Sequence, residues 1–194
     1  MNDPLIRKGE RTMGNQNALK RSATNYTRYQ LFIAISDVRE FVASAGGWIC
    51  DRIQAGWDVS VAVTEPHDLR SLQILGITTV VTDQEFESLS DQGEIAAIAF
   101  AAEAFDRDEL LRRRVLKALD QGATEINIWG TTLPSGLKGR VHRLQHRLSV
   151  ASQAFKVHAV AAASIPGATI GATEDLYCSV RWHDTSVESL REDV

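Results

Sequence analysis

Cysteine is scarce in this chain: two residues, Cys50 and Cys178, among 194. That excludes a disulfide framework and favours a reducing compartment. Long apolar runs are also missing. None approaches the roughly 18 residues of a membrane span, and the amino-terminus lacks the apolar core of a secretory signal. The expectation is a cytoplasmic protein with no membrane partner.

Motifs of cofactor and catalytic chemistry are absent as well. A dinucleotide fingerprint needs glycines between the first strand and its helix, so that backbone can approach a pyrophosphate. The sequence there is Ser36-Asp37-Val38-Arg39-Glu40. No Walker A loop can be laid on the chain, and Ser135 sits in Pro-Ser-Gly rather than in a G-x-S-x-G elbow. His142 and His146 share a helical spacing, but the glutamate of H-E-x-x-H is missing and cations flank the pair. No cofactor and no metal are indicated.

What is present is a globular composition, 44% hydrophobic and 24% charged. A chain of this length buries roughly 70% of the surface its unfolded form exposes. The formal charge of −4 is a cancellation between segments. Residues 1–28 carry six basic side chains against two acidic ones and read as a mobile amino-terminal arm, with Met13 as an alternative start. Residues 83–109 carry nine acids against Arg107. Between Glu125 and Glu174 no acid occurs, and the tail 184–194 is acidic again.

Hydrophobic periodicity predicts a single α/β domain over 29–183. Leu31–Ile35 is a short apolar run suited to a strand buried on both faces. Val38, Phe41, Val42, Ala45, Ile49 and Ile53 then follow helical spacing, with Ser36 or Asp37 as cap and Gly56 as terminator. Gly46 and Gly47 cost this helix propensity, which close packing against a neighbour would explain. Val59–Val63, Ile77–Val81, Ile95–Phe100 and Ile126–Trp129 read as strands, and 66–75 and 106–121 as helices, the latter opened by an Asp106–Glu109 capping box. Leu137, Val141, Leu144 and Leu148 predict an amphipathic helix over 137–149. Phe155–Val160 and Leu176–Trp182 read as final strands. The alternation predicts a three-layer, mainly parallel sheet flanked by helices, Rossmann-like or flavodoxin-like.

Ligands of parallel sheets bind beyond the carboxyl ends of the strands. The candidate ligand-binding residues there are Asp37, Glu65, Asp83, Thr131, Thr132 and Lys138, the last three in a Gly/Pro loop that resembles a phosphate cradle before a basic helix. Arg140, Arg143 and Arg147, on the polar face of that helix, are the candidate interaction residues. The charge segregation and the missing catalytic motifs favour a non-enzymatic protein acting by association, with a protein partner or with itself, nucleic acid being the lesser alternative. The second reading is an enzyme or sensor that binds a small polar or phosphate-bearing ligand at the strand ends.

Overall fold

The computed structural model describes residues 29–63, 69–82, 95–167 and 170–179. The basic arm, Glu65, Asp83 with the rest of 83–94 in the acidic segment, and the acidic tail lie outside the described residues.

β1 (Gln30–Ile35) leads through Asp37 into α1 (Val38–Gln54). Asp37 caps that helix as expected, its Oδ1 accepting from the N–H groups of Arg39 and Glu40 at 2.7 and 3.2 Å. β2 (Asp58–Val63), α2 (Arg70–Ile74) and β3 (Thr79–Val81) continue the chain on one side of β1. The chain then returns to β4 (Ile95–Ala101) on the other side of β1. α3 (Ala102–Arg107), α4 (Glu109–Gln121) and β5 (Glu125–Trp129) follow. A short 3₁₀ turn at Ser135–Leu137 precedes β6 (His142–Arg147), α5 (Val150–Ala162) and β7 (Thr173–Cys178).

The seven strands form one mixed sheet in the order β3-β2-β1-β4-β5-β7-β6. The first five are parallel, in the 3-2-1-4-5 order of a Rossmann-like half. β7 runs antiparallel to both β5 and β6. Strand alternation sorts β1 between two cores: Leu31, Ile33 and Ile35 point toward α1, α2 and α5, and Phe32 toward α3 and α4. The three-layer α/β expectation therefore stands. No described helix is long and apolar enough to cross a membrane.

Gly46 and Gly47 have the packing role expected of them. A Cβ on Gly47 would lie 2.5 Å from Leu148 Cδ1, and one on Gly46 would lie 3.2 Å from Leu75 Cδ1. Trp48 and Trp129 are core residues, and both cysteines are buried and free.

Three local expectations fail. The helix predicted over 137–149 is a turn followed by β6, because pairing with β7 along its whole length supplies the backbone partners. Its operative period is two, with His142, Leu144 and His146 half-buried and Arg143, Gln145 and Arg147 exposed. Phe155–Val160 is not a strand but part of α5, whose Ser149 cap accepts from Ser152 N–H and whose alanines favour helix. The cap of α4 is Asp108 rather than Asp106: Asp108 Oδ1 accepts from the Leu110 and Leu111 amides at 2.9 and 3.0 Å.

Candidate active site at the strand ends

β1 lies between β2 and β4, and the chain runs outward from it in opposite directions. In open sheets of this kind such a reversal marks the ligand-binding crevice, here at the carboxyl ends of β1 and β4. Ser36 and Asp37 follow β1 at this end and lead into the first turn of α1, Glu103 lies in the first turn of α3 directly after β4, and Gly130 and Thr131 follow Trp129, the last residue of β5.

Glu40 is the central group. It stands three residues after its cap Asp37, the spacing of a capping box, in which its carboxylate would turn back to the cap N–H. Here it does otherwise. Glu40 Oε2 accepts from the Trp129 indole N–H at 2.7 Å, and Oε1 accepts from the Ser44 hydroxyl at 3.2 Å. Trp129 is itself fixed by burial and by Phe41, ring centroids 5.3 Å apart. Burial pushes the Glu40 pKa above the ordinary 4.5; the two donors offset part of this, and the charges of Asp37 and Glu103 add to it. A half-buried carboxyl with two neutral donors and two like-charged neighbours holds its proton more tightly than a free glutamate.

The predicted site residues divide. Asp37 belongs to the crevice, although its carboxylate serves the cap. Thr131 and Thr132 follow β5 directly and are exposed at the same end. Lys138 is exposed after the 3₁₀ turn, and the basic helix whose amino-terminus was to receive an anion does not exist. Glu65 and Asp83 lie outside the described residues. Sequence reasoning missed Glu40, Glu103 and Trp129. The D-x-x-E spacing from Asp37 to Glu40 was the available signal for the first. Nothing local marked the other two, because only the sheet brings β4 and β5 beside β1.

Arg140 is bonded to Asp120 at 2.5 Å and Arg143 to Asp175 at 2.9 Å, and Arg147 alternates with half-buried neighbours on β6. A cavity of about 290 Å³, lined in part by Gln30, Phe32, Asp58 and Ser60, opens at the opposite, amino-terminal ends of the strands. It is remote from Glu40, and the topology places ligands at the other end.

Neither a family model nor a curated protein matches the chain. Solved structures do. A triple mutant of a deacetylase in the teicoplanin biosynthetic pathway is 15% identical, with a TM-score of 0.55, over 81% of this chain and 100% of that one. The zinc-inhibited form of teicoplanin deacetylase Orf2 gives 13% identity and a TM-score of 0.56 over 80% and 100%. The A40926 pseudoaglycone deacetylase Dbv21 gives 12% and 0.53 over 80% and 98%.

Likeness at this identity shows a shared fold, and it overturns the association reading. The architecture of four-fifths of the chain is one that deacetylases use. The basic helix on which association rested is a strand, and two of its three arginines are paired within the chain. Among the described residues, no group of three or more His, Cys, Asp or Glu could hold a metal ion. The sheet and its flanking helices make this chain a structural neighbour of deacetylases.

Proposed function

We propose that this protein is an enzyme that binds a small polar substrate in the crevice beyond β1, β4 and β5 and moves a proton through Glu40. The observation carrying this reading is the Glu40 carboxyl itself, held by Trp129 and Ser44 and pushed upward by burial beside Asp37 and Glu103. A carboxyl tuned toward neutrality suits general acid–base work. The fold neighbours are deacetylases, so hydrolysis of an N-acylated polar amine is the first reaction class to try. In that reaction water adds to the acyl carbon, the C–N bond breaks and the departing amine takes up a proton. Glu40 is the group placed to accept and return that proton, with Ser36, Thr131 and Thr132 offering hydroxyls to the substrate.

The test is a panel of N-acetylated amino sugars and other N-acyl amines, read by thermal shift and by release of free amine. A substrate raises the melting temperature by mass action. Glu40→Gln binds it with turnover reduced by about 10²-fold or more, the usual worth of a positioned acid or base. A panel with neither thermal shift nor amine release contradicts the reading, as does a fully active Glu40→Gln.

A further inference from the structure

Two turns beyond Glu40, α1 lends part of its backbone hydrogen bonding to an ion pair. Helix periodicity assigns the N–H groups of Gly47 and Trp48 to the carbonyls of Ala43 and Ser44. In this protein those two N–H groups donate to Glu174 Oε1 and Oε2 at 2.9 and 2.6 Å. The Ala43 carbonyl accepts from Lys156 Nζ at 2.6 Å, and Lys156 closes the circuit in an ion pair with Glu174. Both charged residues are only 4% exposed. Glu174 reaches the helix from β7 and Lys156 from α5, and the missing side chain of Gly47 leaves room for Leu148 beside them.

A buried ion pair is a poor source of net stability, because desolvation consumes most of the Coulomb attraction. Its best-attested use is to specify one arrangement among several. Here the arrangement concerns the residues that hold Glu40. Ser44, whose carbonyl periodicity pairs with the Trp48 amide, also donates its hydroxyl to Glu40, and Glu40 accepts from Trp129.

We propose that the Lys156–Glu174 pair is a positioning device: by holding the Gly47 and Trp48 amides it fixes the path of α1 at Ser44, and so sets Glu40 against Trp129. This rests on the strand-end reading of function. The groups facing Glu40 are Asp37, Glu103, Ser44 and Trp129. Those facing Glu174 are Lys156, the two amides of α1, and His146 opposite it in the β6–β7 register. Arg39 adds an independent tie between α1 and the end of α5, donating to the Ser164 carbonyl at 2.5 Å.

The experiment follows the Trp129 indole N–H resonance of the full chain with pH, assigned by its loss in Trp129→Phe. In the wild-type protein it reports Glu40 ionisation, with a midpoint above the ordinary glutamate value. In Glu174→Gln and in Lys156→Met the midpoint falls toward that ordinary value, or the pH response is lost. Lys156→Arg, which keeps the cation, restores the response. Asp51→Asn removes a different, half-buried contact of the same helix and leaves the midpoint unchanged. Folded Glu174→Gln or Lys156→Met protein with the wild-type midpoint overturns the positioning role and leaves the strand-end reading intact. An Asp51→Asn change equal to theirs also overturns it, since any loosening of α1 would then suffice. A wild-type midpoint at or below the ordinary value sinks the strand-end reading together with it.

Discussion

Glu40, half-buried on α1, and Glu174, buried against the same helix, have opposite surroundings. Glu174 has each carboxylate oxygen on a backbone amide and a lysine beside it. Its charge is fully answered. Glu40 has two neutral donors, no cation paired with it among the described residues, and the carboxylates of Asp37 and Glu103 nearby. Its charge is tolerated rather than answered. A fold that could satisfy one glutamate so completely leaves the other unsatisfied at the end of the sheet where ligands bind. Groups pushed away from their ordinary ionisation in such a place are candidates for chemistry; groups matched by amides and a cation are candidates for architecture.

The sharpest way to break this contrast is to remove the architectural member. Glu174→Ala strands Lys156 in the core and leaves two helix amides without their acceptor. The expected loss is about 3–5 kcal/mol, the cost of unpairing a buried charge, measured by denaturant unfolding. A loss below about 1 kcal/mol, the range of exposed pairs, would mean that Glu174 is not committed to the fold.

Asp51 sharpens the comparison from an intermediate position. Burial alone would raise its pKa, but hydrogen bonds from Ser149, Ser152 and His146 outweigh that and lower it from 3.8. The Ser152 hydroxyl donates to Oδ1 at 2.7 Å, and His146 Nε2 lies 2.8 Å from Oδ2. A lowered carboxylate contributes stability above its unfolded value and loses it as pH falls through the folded one. Asp51→Asn therefore costs about 1–3 kcal/mol at neutral pH, as expected for hydrogen bonds to a charged group, and the difference from wild type shrinks in acid. A pH-independent difference in the unfolding curves would refute the assignment.

How much of this could be read from the sequence follows from where each signal lives. The parallel strands and α1 were legible because their apolar periods are local and strong, and Asp37 was legible as a cap because capping spans only a few residues. β6 was not. Its inward set is His142, Leu144 and His146, so one leucine had to carry the alternation while Leu137, Val141, Leu144 and Leu148 mimicked a helical stripe. Its strand character comes from β7, which joins it only after α5 has intervened. The site was half legible for the same reason. Asp37, Thr131 and Thr132 follow strands that could be located, whereas Glu40 stands three residues after its cap, a spacing that ordinarily serves only the helix start. Its partner Trp129 lies 89 positions away.

The most direct test of the central claim compares the stability of wild-type and Glu40→Gln protein as a function of pH. A carboxyl whose folded pKa is raised above 4.5 binds its proton more tightly when folded, so its contribution is full in acid and declines as pH rises through the folded value. The account predicts that wild-type stability falls relative to Glu40→Gln from about pH 4.5 upward, then levels off once Glu40 has ionised. A difference that does not change with pH, or one that moves in favour of the wild type as pH rises, would show Glu40 to be as well answered as Glu174 and would contradict the account.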